Sequence, residues 1–285
     1  MTNKVDSVAD KGVWILGYGS LIYKPPPYFK HRLPVTIKGF VRRFWQSSVD
    51  HRGTHEKPGR VATLINYDEI KLDKVLLDDF EKYNTHDNLD TLAVVYYIPE
   101  EHVSKVTQYL DVREQNGYQR YNLNVELEIT DDYIMETYVD DEETLQSLLG
   151  LYNGLKYNEI GDKKLIETSV YIGTLDNFAF VGPEIIKDTA KIIAHSVGPS
   201  GPNYEYLKLL YESLIELQTV FKLSNAKSSS SSSASSNSNS TSDMAIAALK
   251  SKIDDSLLAE KVIEELVIED YLHSLLEEVE LLRIS

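Results

Sequence analysis

Glu114 is the residue of this chain best suited by its surroundings to acid–base chemistry. It lies in Leu110-Asp-Val-Arg-Glu-Gln-Asn-Gly-Tyr118. Pro99 opens a helix upstream, Glu100 and Glu101 fall in its first turn, and Val103, Val106 and Leu110 keep helical spacing until Asn116-Gly117 signals a stop. Glu114 therefore sits at a helix C-terminus, where the dipole disfavours an anion. A carboxyl group held there in a pocket has its pKa raised by the dipole and by desolvation, which makes it a better base near neutrality. A solvated glutamate offset by Arg113 accounts for the same residues, so the physics leaves both readings open.

A second feature is an apolar run, Val13-Trp-Ile-Leu16, that enters Gly17-Tyr-Gly-Ser-Leu-Ile22. The run reads as a buried strand, and the glycines let backbone N–H groups approach an anion or a carbonyl oxygen. A tight turn without a ligand fits equally well. Asp50-His51-Arg52-Gly53 with His55 holds metal- and proton-binding groups, but Gly53 favours a loop whose side chains bond nearby backbone over a metal site. Gly198-Pro-Ser-Gly-Pro202 falls short of a serine-hydrolase elbow, because its last position is proline and no strand leads into Ser200. The dinucleotide fingerprint fails at Ile22, and no Gly-Lys-Ser/Thr exists for a P-loop.

These residues need a scaffold, and the pattern supplies strands and helices without a regular βαβ rhythm. Strands are expected at 13–18, 35–45, 60–66, 91–98, 121–129 and 166–173, and helices at 100–113, 183–198 and 203–217. The fold class is α+β, a small and mostly antiparallel sheet or barrel flanked by helices. The organisation expected is a disordered leader at 1–12 and a catalytic domain at 13–223 carrying an acidic surface insertion at 130–162 with one short helix near Leu145–Leu149. A serine-rich disordered linker at 224–243 follows, in which serine fills 11 of the positions 228–242. An acidic amphipathic helix at 244–285 then folds back on the core.

The chain has 285 residues, a net charge of −16 and no cysteine. The charge argues against nucleic acid and anionic lipid as partners. The missing cysteines exclude disulfides, thiol nucleophiles and thiolate metal sites. No stretch reads as a signal peptide or membrane span, so a cytoplasmic protein is expected.

Several blocks in one order resemble the ChaC family of γ-glutamylcyclotransferases, in its glutathione-specific branch. They are Trp14-Ile-Leu-Gly-Tyr-Gly-Ser-Leu-Ile-Tyr23, Gly39-Phe-Val-Arg-Arg-Phe-Trp-Gln46, Asp50-His-Arg-Gly-Thr54, Pro58-Gly-Arg-Val-Ala-Thr-Leu64 and Leu110 to Tyr118. Val94-Val-Tyr-Tyr97, Ser169-Val-Tyr-Ile-Gly-Thr174, Phe180-Val-Gly-Pro183, Gly198-Pro-Ser-Gly201 and Asn203-Tyr-Glu-Tyr-Leu207 complete the set. The resemblance implies a compact barrel-like α+β fold and a lyase-type cleavage of glutathione to 5-oxoproline and Cys-Gly, with no cofactor and no metal. It assigns the catalytic glutamate to Glu114 and the substrate loop to Ile15, Leu16, Gly17, Tyr18, Gly19, Ser20 and Leu21. Arg43, Arg52 and Arg60 are the candidates for the glycine carboxylate of the substrate, and Tyr118 and Tyr204 for pocket walls, although ordinary core packing accounts for the two tyrosines at least as well. The expected assembly is a monomer or weak homodimer. Other γ-glutamyl donors, or a non-catalytic γ-glutamyl-binding module, are the alternatives.

Overall fold

The computed structural model describes residues 12–84, 89–115, 117–129, 134, 141–227 and 269–284. Residues 1–11 of the leader, the serine tract at 228–242 and the stretch 243–268 lie outside the described residues.

Five strands close a barrel. They are β1 (Val13–Gly17), β2 (His31–Lys38), β5 (Asp90–Ile98), β6 (Tyr118–Leu127) and β8 (Lys164–Gly173), in the order β1-β5-β2-β6-β8, with Ile15 opposite Ser169 returning β8 to β1 in parallel. All other neighbours in the ring are antiparallel, and the two-residue strand β7 (Lys156–Tyr157) adds to the outer edge of β8. The continuous apolar run of β5 follows from burial on both faces. Ala93 and Val95 join one cluster with Leu16, Val35, Leu127 and Ile166, whereas Val94, Tyr96 and Ile98 face a second cluster built with the helices.

The stretch 35–45, expected as one strand, is two. Gly39 adopts φ +74, a conformation that favours glycine, and the chain leaves the barrel there. Beyond it β3 (Phe40–Ser48) pairs antiparallel with β4 (Gly59–Asn66) as a separate hairpin, with an irregularity between Arg43 and Gln46. A one-turn helix, α1 (Tyr67–Ile70), follows, and then α2 (Lys74–Tyr83), which was not among the expected helices although Leu76, Phe80 and Tyr83 keep helical spacing. Its local signal is Asp73, whose carboxylate accepts from the N–H groups of Val75 and Leu76 as an N-cap.

Helix α3 (Glu100–Arg113) has the bounds its spacing suggested. Within the acidic stretch 130–162, α4 (Glu142–Asn153) buries Leu145, Leu148 and Tyr152 in the cluster that contains Leu16 and Val35. Helices α5 (Ile186–His195) and α6 (Asn203–Lys227) flank the two-residue strands β9 (Val197–Gly198) and β10 (Gly201–Pro202). The last helix, α7 (Asp270–Ile284), buries Tyr271, Leu272, Leu275 and Val279 among residues of α5 and α6. No helix of the described residues is long and apolar enough to cross a membrane.

Candidate active site

A cavity of about 270 Å³ opens where β1 ends, and segments distant in sequence line it. At the end of β1, Gly17 has no room for a side chain, since a Cβ there would lie 2.7 Å from the Cβ of Leu21. That close approach lets Ser20–Ile22 form a tight 3-10 turn. Leu16, Tyr18, Gly19, Ser20 and Leu21 all line the cavity. The N–H groups of Ser20 and Leu21 stand at the start of this turn and have no acceptor within it. Ile15 and Gly17, expected with them, do not line the cavity: Ile15 is core and Gly17 acts through its backbone. Gly19 lies against Tyr206, whose hydroxyl would be 2.9 Å from an added Cβ.

Glu114 is the C-cap of α3, and its N–H closes the last helical turn on Leu110 O at 2.8 Å. Its side chain is only 16% exposed and lines the cavity. Burial pushes its pKa up, Arg113 and His51 oppose the shift, and Asp50 adds to it. Arg113 Nε lies 3.3 Å from Glu114 Oε1, and its other nitrogens donate to Ser20 Oγ at 2.6 Å and Lys24 O at 3.2 Å. One guanidinium thus ties the end of α3 to the turn after β1.

The Asp50–Arg52 loop crosses the same opening. His51 Nε2 donates to the carbonyl of Arg113 at 3.1 Å, so in the neutral ring Nδ1 accepts from Ser200 Oγ at 3.1 Å. Gly198 and the His51 backbone pack too closely for any Cβ, which would meet His51 O at 2.3 Å. Asp50, His51 and Ser200 therefore belong to the cavity wall, which the spacing of Asp50, His51 and Gly53 did not reveal. No group of His, Asp and Glu among the described residues could hold a metal ion.

The three arginines separate. Arg43 is engaged by Asp79 at 3.1 Å and Asn84 at 3.1 Å, and Arg60 by both oxygens of Glu184 at 2.7 Å. Neither lines the cavity. Arg52 does, with one nitrogen shared between Pro202 O at 3.0 Å and Glu205 at 3.1 Å. The tyrosines separate as well. Tyr118 lines the cavity, but Tyr204 turns away to Glu280 at 2.6 Å, beneath Arg283. The wall residue is Tyr206. The helical stripe does not separate the two, because Tyr206 stands four residues before Leu210 and Tyr204 three before Leu207.

Burial raises the pKa of Tyr18 and of Tyr118 well above the usual phenol value, and that of Tyr206 to about 12. All three stay protonated near neutrality. The cavity thus combines buried neutral hydroxyls, two carboxylates (Asp50 and Glu114) and three cationic side chains (Lys24, Arg52 and Arg113). Such a lining fits a small molecule that carries both an amine and carboxylates.

Known proteins resemble this chain over most of its length. The family model described as ChaC-like protein matches residues 13–227. A glutathione-specific γ-glutamylcyclotransferase of Saccharomyces cerevisiae is 50% identical over 214 residues, covering 73% of this chain and 88% of that protein. One of the same description from Schizosaccharomyces pombe is 34% identical over 208 residues, covering 72% and 84%. A crystal structure of a γ-glutamylcyclotransferase specific to glutathione from yeast superposes with a TM-score of 0.68 at 39% identity, covering 95% of this chain and 97% of that one. By the extent of these matches and the shared fold, the chain belongs to the ChaC family.

Proposed function

We propose that this chain cleaves glutathione to 5-oxoproline and Cys-Gly, as a carbon–nitrogen lyase of glutathione degradation, with Glu114 as general base and acid. The observation that carries the proposal is a buried carboxylate of raised pKa at a helix C-terminus, facing the turn after β1 across one cavity. The names of the related proteins support glutathione as the substrate.

The reaction needs one base and one positioning surface. The γ-glutamyl amine is an ammonium ion in water and has no lone pair for attack. Glu114 takes its proton, and the freed nitrogen adds to the γ-carbonyl carbon of the same residue. A five-membered ring forms, with negative charge on the former carbonyl oxygen. The tetrahedral carbon then expels the Cys-Gly nitrogen, to which the Glu114 carboxylic acid returns the proton. The ring nitrogen, left with two hydrogens and a positive charge by the attack, gives up its second proton through the same carboxylate to the released amine, so that neutral lactam and Cys-Gly ammonium leave. Proton transfer of this kind contributes ~10²–10⁴ in rate. Bending an extended substrate into a ring-closing conformer is a positioning effect, which the turn Tyr18–Leu21 and the tyrosine walls supply. N–H groups of that turn and the protonated tyrosines are the donors for substrate carboxylate and oxyanion. Arg52 is the partner for the glycine carboxylate. We place the enzyme in the cytoplasm as a monomer or weak homodimer.

A second reading rests on Ser200, His51 and Asp50, which lie in the sequence of partners of a hydrolase triad but with the ring nitrogens exchanged, Nδ1 toward Ser200 at 3.1 Å and Nε2 toward Asp50 at 3.5 Å. It is the weaker one, because His51 Nε2 is bonded to the carbonyl of Arg113 and Ser200 sits in the turn between β9 and β10 rather than on a strand-to-helix elbow. Purified protein incubated with glutathione, with γ-glutamyl amino acids and γ-glutamylamines in parallel, tests the proposal. Release of 5-oxoproline from glutathione in preference to the other donors supports it, and tight binding without product opposes it. Ser200→Ala is expected to keep kcat within about threefold, whereas the triad reading requires a loss of ~10³ or more.

A further inference from the structure

Arg42, on β3, is fully buried, and a buried guanidinium needs all its donors occupied and its charge compensated. Its Nε donates to Tyr18 O at 2.8 Å and its Nη2 to Leu92 O at 2.5 Å. Its Nη1 pairs with the carboxylate of Glu269, the one ion pair that Arg42 makes among the described residues. Tyr18 O belongs to the turn that lines the cavity, but Glu269 does not line that cavity. It comes instead from the far side of the serine tract, immediately before α7.

The same short segment grips β3 at neighbouring points. The Tyr271 hydroxyl accepts from Phe44 N at 3.3 Å, and the guanidinium of Arg43 lies 4.6 Å from the Tyr271 ring centre. Leu272 and Leu275, both fully buried, anchor the helix behind these contacts.

We propose that Glu269 is a positioning residue for the reaction: by pairing with Arg42 it fixes the guanidinium that holds the Tyr18 carbonyl, so the C-terminal segment shapes the substrate turn from outside the cavity. The inference rests on the functional reading above. Without Glu269, Arg42 is a buried cation lacking its counter-charge, and it must turn toward water or another acceptor. Either movement releases the Tyr18 carbonyl and loosens the turn. Glu114 stands on α3 and keeps its own contacts, so substrate binding suffers more than proton transfer.

The test is steady-state kinetics on the full chain with Glu269→Ala, Glu269→Gln and Tyr271→Phe, each assayed well below its own melting temperature. Glu269→Ala is expected to raise KM for glutathione about tenfold or more, the scale of one hydrogen bond to a charged group, with kcat within about threefold and the pH profile unchanged. Glu269→Gln keeps an acceptor without the charge, and its KM should fall between wild type and Glu269→Ala. It carries the test if the alanine variant does not fold. Tyr271→Phe removes a neighbouring contact of the same helix and should leave KM at the wild-type value. A wild-type KM in both Glu269 variants, or an equal rise in Tyr271→Phe, overturns the inference while leaving the proposed function standing. A wild-type chain that releases no 5-oxoproline overturns the functional reading first, and this one with it.

Discussion

At the scale of single residues, the chemistry depends on how unfavourable the surroundings of Glu114 are for a negative charge. Burial raises its pKa against the pull of Arg113 and His51. A base must be unprotonated to act, so kcat/KM should fall as pH drops through a value above the ordinary glutamate pKa of about 4.3. A pH–rate profile checks this, and an acid limb at or below that ordinary value would contradict it. The position of Glu114 at the end of α3 was legible because helix spacing and the Asn116-Gly117 stop bracket it. Arg52 could not be told from Arg43 and Arg60 in the sequence, since the partners that occupy the latter two, Asp79 and Glu184, come from other elements. Tyr206 could not be told from Tyr204 in the sequence, since each stands three or four residues before a leucine of the α6 stripe. Tyr204 drew attention instead, because a tyrosine beside a helix start carries no mark of which way it faces.

At the scale of elements, the site is a junction of ends: β1 into its turn, α3 into β6, the loop between β3 and β4, and the turn between β9 and β10. The turn after β1 tolerates no side chain at its entry. Gly17→Ala should force Leu21 outward, because the nearest obstacles are Leu21 Cβ at 2.7 Å and its backbone carbonyl carbon at 3.3 Å. The expected result is a loss of kcat/KM of about tenfold or more with the fold retained by circular dichroism, on the scale by which small misplacements cost rate. Wild-type kinetics in this variant would show that the turn does not position substrate. The sequence marked the strand before this turn and the glycines within it. It did not mark the break at Gly39, because a β-rich apolar run continues on both sides and only the positive φ separates barrel from hairpin. The helix α2 was legible in principle from its cap at Asp73 and from the helical spacing of Leu76, Phe80 and Tyr83, but five charged residues among ten dilute that apolar signal.

At the scale of the whole molecule, pieces far apart in sequence close one body. Helix α7 returns to the core beside α5 and α6, and α4 from within the acidic stretch 130–162 covers residues of the barrel strands. The amphipathic stripe announced that the C-terminal helix had a face to bury, but its partners Arg42 and Tyr204 were not visible in any local pattern. His31 links β2 to α4 through Ser147 Oγ at 3.1 Å and is only 1% exposed. Burial lowers its pKa to about 4, with Lys30 contributing. In the unfolded chain the ring takes up a proton near pH 6.5, whereas in the folded chain it stays neutral until about pH 4. The stability it supports is present above pH 6.5 and is lost as pH falls between those values. His31→Asn should therefore flatten the fall in melting temperature between pH 7 and pH 4.5, and an unchanged slope would remove His31 as its cause.

The account's central claim is that the Glu114 carboxylate moves the proton that lets the substrate close on itself. Glu114→Gln keeps the shape of the side chain and removes the base. In one experiment, glutathione binding is measured by calorimetry and 5-oxoproline release is followed by chromatography on the same preparation. The prediction is binding close to that of the wild type with turnover reduced by ~10²–10⁴. Full turnover in the glutamine variant would contradict it.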